Sequence, residues 1–352
     1  MLNYEVVIIG GGQAGLAMAY YLKKENIPFV ILDKNEQVGD SWRRRYDSLV
    51  LFTPRTYSSL PELEMEGLSE EFPTKDEVAD YLDSYVKHFE FPIIFNTNVV
   101  KLSKQSDGSF LLETTLGQIN AKQIVVATGA FQKPFIPNIV KKKSSIFQLH
   151  SSDYQSPRQL KGTDVLVVGG GNSGAQIAVE LAKYYKVTIA VGHKFKFLPL
   201  KLQGKSIFKW LEIMGLLYAG KDSLKGKWFQ RQSDPIFGRE LKKLIRNRKV
   251  VVKPKVTCVN DTEVHFTDNT RSKFTSIIWS TGFVPSYEWI NLEGVISNEG
   301  KPIHTRGITN IKGLYFLGLP WQHQRGSALL CGVSLDAKYL VPTIISNVSK
   351  SK

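Results

Sequence analysis

Two segments of the chain share one pattern of hydrophobic positions, about 160 residues apart. Each begins with an apolar, largely β-branched run that is typical of a buried strand, YEVVII at 4–9 and DVLVV at 164–168. A glycine-rich turn follows, and then apolar residues recur at helical spacing. A second apolar run closes each unit, at 27–32 and 187–191. The pattern predicts two β–turn–α–β units of about 30 residues each.

The segments outside these two units have mixed periodicity. Residues 75–89 carry apolar positions at helical spacing, and Thr74 with Glu77 forms a capping box at their start. Short apolar runs on either side of the second unit predict strands, and the stretch 204–249 predicts a long, basic helical region. The whole pattern predicts an α/β protein with two Rossmann-like dinucleotide-binding domains.

The first glycine turn has the spacing of a dinucleotide site. Gly10, Gly12 and Gly15 form a GxGxxG motif between a strand and a helix, so the backbone can approach a pyrophosphate at the helix N-terminus. Asp33 ends the next strand, 23 residues after Gly10, where a carboxylate can accept both ribose hydroxyls. Neighbouring residues expected at the same site are Gln13, Ala14 and Lys34.

The order of five short motifs resembles that of a known family. The motifs are GGGQAG at 10–15, GDSW at 39–42, YDSLVLFTP at 46–54, ATG at 127–129 and GLYFLGL at 313–319. Together they are similar to those of the class B flavin-dependent monooxygenases and their small bacterial relatives, over almost the full chain. This resemblance implies that FAD binds in the first unit and a nicotinamide dinucleotide in the second.

The resemblance also implies further FAD contacts. The GxxW segment of the family lies along the cofactor, the ATG strand end lies near the pyrophosphate, and a C-terminal helix begins beside the flavin. The corresponding residues are Gly39, Ser41, Trp42, Val99, Ala127, Thr128, Gly129, Gly318, Gln322, Ser327 and Ala328.

The second glycine turn repeats the spacing but lacks the acid. Gly169, Gly171 and Gly174 form the motif, and the equivalent of Asp33 is expected near Gly192, where no carboxylate stands. Without that negative charge a 2′-phosphate is tolerated, and His193 and Lys194 could pair with it. The pattern favours NADPH over NADH and leaves use of both open. Two further residues, expected to donate to the pyrophosphate or to cap the helix, are Asn172 and Ser173.

The resemblance further implies a discontinuous first domain. Thr281 and Gly282, in WSTGFVP, are similar to the family's motif where the chain returns from the nicotinamide domain. The predicted FAD-binding domain therefore comprises 1–158 and 284–352. The predicted NAD(P)H-binding domain is 159–283, with the basic helical insert 204–249.

In the family that this chain resembles, NADPH reduces the flavin, and O₂ adds to give a C4a-hydroperoxyflavin. That species oxygenates a small soft nucleophile, such as a thioether or amine, or a ketone. The family fingerprint FxGxxxHxxx(Y/F) is matched only at its tail, by His150 and Tyr154. We expect His150 to bridge the domains rather than to act as an acid or base.

No residue is assigned as catalytic from the sequence. Eukaryotic members of the family carry a Thr-Asn pair near the flavin, and this chain reads Thr53-Pro54. Proline offers neither a side-chain donor nor an amide N–H. The weak candidates are the hydroxyls of Thr53 and Ser58, and the imidazole of His150.

Composition adds one unusual feature, a formal net charge of +14. Between His193 and Lys255 there are 17 Lys and Arg against four acidic residues, which indicates either a solvated face or attraction of a polyanion. We expect no nucleic acid partner and no metal, and the helical pattern in 206–220 leaves a homodimer open. No apolar run reaches ~18 residues, and no export signal is visible, so a cytoplasmic protein is expected.

Two other functions stay open at this point. A missing fingerprint head and Pro54 favour an NAD(P)H-dependent flavoprotein reductase or oxidase that passes electrons to another acceptor. A nucleotide-binding redox sensor that uses the basic region as its contact surface is a third hypothesis. Cys258 and Cys331 lie 73 positions apart, so a thioredoxin-reductase-type dithiol is not expected.

Overall fold

The structure is a computed structural model, and it describes residues 2–141 and 144–349. The strands are β1 Leu2–Ile9, β2 Phe29–Leu32, β3 Ile93–Ile94, β4 Val99–Lys104, β5 Phe110–Thr114, β6 Gly117–Val126, β7 Lys133–Pro134, β8 Phe147–His150, β9 Asp164–Val168, β10 Lys186–Ala190, β11 Phe197–Leu198, β12 Lys201–Leu202, β13 Lys205–Ser206, β14 Ile236–Phe237, β15 Val250–Lys253, β16 Val256–Asn260, β17 Glu263–Phe266, β18 Arg271–Lys273, β19 Ser276–Trp279, β20 Phe283–Val284 and β21 Leu314–Phe316. The α-helices are α1 Gln13–Lys24, α2 Asp40–Arg43, α3 Lys75–Phe89, α4 Asn172–Leu181, α5 Ile207–Ile213, α6 Leu224–Gln230, α7 Glu240–Arg246 and α8 Leu330–Ser349. None of these helices is long and apolar enough to cross a membrane within the described residues.

The first sheet has seven strands in the order β3-β2-β1-β6-β5-β4, with β21 paired to the end of β6. Strands β3, β2, β1, β6 and β21 are parallel, and β4 and β5 add an antiparallel hairpin beside β6. Residues of α1, α3 and α8 form one apolar layer with the sheet, and residues 287–295 contribute to the layer on the other face. The parallel strands therefore present their carboxyl ends at one edge, where the first glycine turn lies.

The second sheet has five strands in the order β15-β10-β9-β19-β8, all of them parallel. Residues of α4 and α7 cover one face, and the antiparallel sheet β16-β17-β18 covers the other. This is a second parallel sheet covered on both faces, which is the architecture of a nucleotide-binding α/β unit.

The chain passes between the two sheets twice. The first sheet takes its strands from 2–126 and 314–316, whereas the second takes its strands from 147–279. The two crossing segments, β7 and β20, pair with each other as a short antiparallel ladder. Strand β8, at Phe147–His150, pairs with β19, so the second sheet begins before the predicted limit at 158. The domain limits themselves stay a prediction.

The basic region 204–249, predicted as a long helical stretch, instead forms the three short helices α5, α6 and α7, separated by turns and accompanied by the two-residue strands β13 and β14. Gly215 and Gly238 adopt positive φ angles of 64° and 100°, which a continuing helix excludes, and Pro235 lacks an amide donor. Helix α5 ends at Ile213, and the next residue, Met214, is 47% exposed.

Candidate functional site

The first glycine turn is shaped by close backbone contacts. A β-carbon on Gly10, whose φ is 110°, would lie 2.6 Å from the carbonyl oxygen of Ala127. A β-carbon on Gly15 would lie 1.9 Å from the carbonyl oxygen of Gly10. In contrast, a β-carbon on Gly12 would meet nothing within 4 Å among the described residues. Gly10 and Gly15 therefore permit packing, and Gly12 keeps the entrance to α1 open.

That open entrance fits an anionic ligand. Gly12 is the N-cap of α1 and has no side-chain cap, so the first amides of the helix are available to a ligand. Such amides, together with the helix dipole, bind phosphate groups. The residues present thus fit the pyrophosphate of a dinucleotide.

Asp33 is buried beside this turn and is fixed in orientation. Its Oδ2 accepts a hydrogen bond of 2.6 Å from the amide of Gly11, and its Oδ1 accepts bonds from the amide and the side-chain Nδ2 of Asn35, at 2.8 and 2.9 Å. The carboxylate therefore lies at the strand end expected for a ribose contact. Asn35 is a residue that the spacing argument missed, because it acts through Asp33.

The second glycine turn has the same construction. A β-carbon on Gly169, whose φ is 119°, would lie 2.1 Å from the carbonyl oxygen of Ser280, and one on Gly174 would lie 2.3 Å from that of Gly169. Gly171 is the N-cap of α4 and has no side-chain cap, and its β-carbon would be in open space within the described part of the chain. The second turn therefore also fits a pyrophosphate.

Matching hydrogen bonds show which residue stands where Asp33 stands. The amide of Gly10 donates to Leu32 O at 2.8 Å, and the amide of Gly169 donates to Ala190 O at 2.9 Å. The residues after these two acceptors are Asp33 and Val191. The expected equivalent, Gly192, is therefore wrong by one residue, because the second unit is one residue shorter between turn and strand end. The conclusion that this position has no carboxylate holds.

Asn172 and Ser173 do not cap α4, contrary to one of the two expectations. The Asn172 side chain donates to Pro235 O at 3.2 Å and accepts from the Phe237 amide at 2.9 Å, so it holds β14 against the turn. Ser173 is hydrogen-bonded to the hydroxyl of Tyr46. His193 and Lys194 follow β10 with exposed side chains, at the carboxyl edge of the second sheet.

The residues predicted at the two crossings bond to the segment 132–135, which follows the first crossing motif. Gln132 Nε2 donates to the Thr128 hydroxyl at 2.9 Å and to Gly129 O at 3.0 Å. On the return segment, Thr281 donates to Phe135 O, and the Phe135 amide donates to Gly282 O at 3.0 Å. Both motifs thus lie at the joint between the sheets, where β7 pairs with β20.

His150 belongs to this joint. It is 2% exposed; its Nε2 lies 3.0 Å from Gly282 O, and its Nδ1 lies 2.8 Å from the Ser152 hydroxyl. Because a carbonyl only accepts, Nε2 carries the proton. Burial lowers the pKa of His150, while the Gly282 bond and the Asp153 carboxylate oppose that shift. Both ring nitrogens are occupied, which fits a bridging role.

A feature that the sequence did not indicate lies at the same joint. The guanidinium of Arg45 is 4.7 Å from the ring centre of Phe131 and 5.4 Å from that of Phe283, one ring on each crossing segment. Within residues 2–141 and 144–349 it has no carboxylate or hydrogen-bond acceptor in bonding range. Burial lowers the pKa of Arg45. We call this contact of Arg45 with Phe131 and Phe283 the clamp. It is visible only in the folded structure, because the three residues are far apart in the chain.

Thr53 and Ser58 are both buried and bond to each other, with 2.8 Å between their hydroxyl oxygens. They lie on the loop that meets the insert. Phe52 stacks on Phe237 and Phe208 with ring centres 4.6 and 6.0 Å apart, and the Tyr57 hydroxyl bonds to Glu212 Oε2 at 2.8 Å. We call this loop–insert contact the aromatic wall; its residues are Phe52, Tyr57, Ile207, Phe208, Leu211, Leu217, Phe229, Phe237 and Trp321.

The predicted C-terminal contacts are arranged around α1. A β-carbon on Gly318 would lie 2.7 Å from the Ala14 β-carbon, and Gln13 Nε2 donates to Ala328 O at 3.2 Å. The buried Gln322 side chain bonds to Phe316 O and the Leu319 amide, and the Ser327 hydroxyl accepts from two backbone amides. These two side chains hold a turn, and α8 begins only at Leu330.

The remaining predicted flavin residues are placed as follows. A β-carbon on Gly39, whose φ is 85°, would lie 2.8 Å from Ala79, so this glycine lets α2 pack on α3. Trp42 packs partly into the core beside α1, and Ser41 is exposed. Val99 is buried at the start of β4, and Ala127 is buried at the end of β6.

Both cysteines are free. Cys258 lies in β16, which packs on the second sheet, and Cys331 lies in α8, which packs on the first sheet. Burial raises the pKa of the Cys331 thiol to about 12. The thiol is therefore protonated at neutral pH and is a poor nucleophile. No dithiol centre is formed by the described residues.

Comparison with known proteins agrees with this architecture. Residues 7–197 match the family model described as pyridine nucleotide-disulphide oxidoreductase. A CzcO-like oxidoreductase of Geobacillus kaustophilus is 51% identical over 344 residues, covering 97% of this chain and 99% of that protein. A flavin-containing monooxygenase from Stenotrophomonas maltophilia superposes with a TM-score of 0.83 at 27% identity, covering 98% and 99% of the two chains. A probable indole-3-pyruvate monooxygenase of Arabidopsis thaliana is 28% identical over 365 residues, or 93% and 88% of the two chains.

Fold and site together define an oxidoreductase with two glycine turns, 10–15 and 169–174, one at each parallel sheet. Each turn fits a dinucleotide pyrophosphate, and we call them the first and the second cradle. The chain belongs to the pyridine nucleotide-disulphide oxidoreductase family, within which it is similar to the class B flavin monooxygenases. Membership of this group implies use of a flavin and a pyridine nucleotide. The expected α/β fold with two Rossmann-like units and the expected enzyme class are confirmed.

Proposed function

We propose that this protein is an FAD-dependent, NADPH-using monooxygenase that oxygenates a small soft nucleophile, such as a thioether or amine, or a ketone. The observation that carries the proposal is the pair of matching glycine cradles, neither of which has a side-chain cap. They are connected through the joint formed by the paired crossing segments β7 and β20, which we call the hinge. Only the first cradle has a carboxylate at its strand end, Asp33. This difference in charge at the strand end assigns FAD to the first cradle and NADPH to the second.

The first cradle would hold FAD. The amides after Gly12 would receive the pyrophosphate, and Asp33 would accept ribose hydroxyls while Asn35 and Gly11 keep it oriented. When bound, the flavin supplies hydride acceptance from a nicotinamide and activation of O₂. The protein supplies alignment of the two dinucleotides.

The second cradle would hold NADPH. The amides after Gly171 would receive its pyrophosphate, and Val191 would leave the ribose 2′ position free of a negative charge. His193 and Lys194 would face the 2′-phosphate from the end of β10. His150 would hold the hinge by its bond to Gly282, so that the two cradles keep one separation.

The aromatic wall would keep water from the reacting groups. It joins the loop after Trp42 to the insert of the second lobe, and it places the Thr53–Ser58 hydroxyl pair in a buried environment. Ser58 Oγ can also donate to Thr53 O at 3.2 Å, so both hydroxyl protons have acceptors inside the protein. A substrate that binds against this apolar cluster would be small and apolar.

A reductase or oxidase that passes electrons to another acceptor is the second candidate function. One observation favours it: Pro54 has no amide N–H, and the neighbouring hydroxyls of Thr53 and Ser58 bond to each other. With donors engaged in this way, the loop offers less stabilisation to reduced oxygen. The redox sensor stays a third hypothesis with no structural observation in its favour.

Rapid mixing distinguishes these functions. The FAD-loaded protein is reduced anaerobically with NADPH, and O₂ is then admitted while the flavin absorbance is followed. We expect a transient spectrum distinct from both reduced and oxidised flavin, and product formation with methyl phenyl sulfide. Direct return to oxidised flavin with stoichiometric peroxide would support the reductase or oxidase. Lack of reduction by NADPH would support the sensor.

A further inference from the structure

A second basic residue, from another strand, lies beside the end of β10. Strands β10 and β15 are parallel neighbours, so their carboxyl ends meet at one edge. Lys255 follows β15, and a β-carbon on Gly192 would be 3.8 Å from Lys255 Cδ and 3.9 Å from its Cβ. The aliphatic stem of Lys255 therefore runs along a residue that has no side chain. This contact places Lys255 beside the residue that precedes His193 and Lys194.

The charge of Lys255 is not used inside the protein. Among residues 2–141 and 144–349, it has no carboxylate or side-chain hydrogen-bond partner, and it is exposed. Two nearby lysines differ in this respect. Lys253 Nζ bonds to the Thr270 hydroxyl at 3.0 Å, and Lys196 Nζ bonds to Gln232 Oε1 at 3.1 Å. At the carboxyl end of β15, the ammonium group of Lys255 is thus available to bind a ligand, whereas that of Lys253 bonds to Thr270.

The space that it faces has no acid of the first-cradle type. Val191 stands where Asp33 stands in the first cradle, and its Cγ1 would be 2.8 Å from a β-carbon on Gly170. An apolar side chain at this position neither accepts a ribose hydroxyl nor repels a phosphate. The position thus combines a missing negative charge with an added positive one.

We propose that Lys255 recognises the 2′-phosphate of the nicotinamide dinucleotide and is a determinant of the preference for NADPH over NADH. The inference rests on the proposed function only in requiring that the second cradle binds the nicotinamide dinucleotide. Lys255 comes from a separate strand, and its ammonium group would act as a point charge on the dianionic 2′-phosphate. Its contribution to binding falls with salt because the site is open to solvent. The stem of Lys255 packs against Gly192, which places this lysine at the same sheet edge as the end of β10.

The test uses Lys255→Met, which keeps the apolar stem and removes the charge, and Lys253→Met as a control of equal charge change. Binding of adenosine 2′,5′-bisphosphate and adenosine 5′-monophosphate to the FAD-loaded protein is measured by calorimetry at low salt. We expect K255M to weaken the bisphosphate about fivefold, as for a partly exposed charge pair, with the monophosphate unchanged. The ratio of kcat/KM for NADPH to that for NADH should fall by a similar factor.

Several outcomes would overturn the proposal. They are equal effects of K255M and K253M on the bisphosphate, or an equal loss of both adenosine ligands in K255M. The proposed function fails separately, through absence of flavin reduction by either nicotinamide dinucleotide in the unmodified protein. Thermal unfolding of K255M at the temperature of the parent protein excludes a folding defect as the cause.

Discussion

At the scale of single residues, the three glycines of each turn have different physical tasks. Gly10 and Gly15 meet carbonyl oxygens at distances that no β-carbon tolerates, whereas Gly12 faces open space at a φ of −82° that any residue adopts. The same division holds for the second turn. Two of the glycines therefore serve folding, and the middle one serves the ligand.

This division predicts opposite outcomes for two alanine variants. Gly15→Ala should destabilise the protein by about 3 kcal/mol, because α1 must move away from the carbonyl of Gly10 in the turn. Gly12→Ala should leave the apo protein's unfolding temperature almost unchanged and lower its FAD content, because the methyl group would occupy the phosphate entrance. Unfolding temperature and bound flavin per chain are measured for both. Equal destabilisation by the two variants would contradict the assignment.

His150 gives the second prediction at this scale. Because burial holds its folded-state pKa below the unfolded value of about 6.5, the unfolded chain binds more protons than the folded one as the pH falls through that value. The stability of the protein should therefore fall as the pH drops below about 6.5. His304 and His323 are shifted in the same direction, so they add to this slope.

His150→Gln should make the pH dependence shallower and lower the neutral-pH stability by about 1–2 kcal/mol, since one hinge bond is lost. Urea midpoints of the variant and the parent protein are compared from pH 5 to pH 8. A His88→Gln variant, on the exposed side of α3, serves as the control. An unchanged slope in H150Q would mean that His150 does not titrate differently in the two states.

At the scale of elements, the hinge depends on a contact between three separate segments. Arg45 comes from the loop after α2, while Phe131 and Phe283 come from the outgoing and returning crossings. A guanidinium within about 6 Å of an aromatic ring centre contributes about 0.5–2 kcal/mol when partly desolvated. This clamp therefore fixes the loop that carries Arg45 to the two crossing segments that connect the lobes.

Arg45→Met should loosen the hinge without removing a nucleotide contact. We expect the rate of NADPH-driven flavin reduction to fall several-fold, with the dissociation constant of NADPH nearly unchanged, because alignment rather than binding is affected. Arg45→Lys should show an intermediate rate, since the charge remains but the planar stacking is lost. Stopped-flow reduction and equilibrium titration separate the two quantities. A loss of NADPH affinity equal to the loss of rate would point to direct ligand contact instead.

The aromatic wall and the hinge also show what sequence reasoning could and could not reach. A GxGxxG turn, its strand and its helix are contained in about 30 consecutive residues, so local spacing predicts each cradle. Phe52 and Phe237, or Arg45 and Phe283, are brought together only by the packing of two lobes. No hydrophobic period carries that information. The one-residue error at Gly192 has the same origin, because the strand end is fixed by pairing of β10 with its neighbours.

At the scale of the whole molecule, charge is distributed unevenly between the lobes. Of the formal net charge of +14, the stretch from His193 to Lys255 holds 17 Lys and Arg against four acids. This stretch includes α5, α6, α7 and the carboxyl edge at which the second cradle opens. The excess of positive charge therefore lies in the lobe that carries the second cradle, where it would attract a dinucleotide with an additional phosphate.

The distribution predicts that salt discriminates between the two nicotinamide cofactors. Raising the ionic strength shortens the Debye length from about 10 Å at 0.1 M to about 3 Å at 1 M, so steering and open-site pairing weaken together. NADPH carries the 2′-phosphate dianion, so its kcat/KM should fall more steeply with salt than that of NADH. Steady-state rates with both cofactors are measured across this range in sodium chloride, with flavin content checked at each point. If the second cradle recognised only the shared pyrophosphate, the two slopes would coincide, and the basic stretch would then be a solvated surface without a part in cofactor choice.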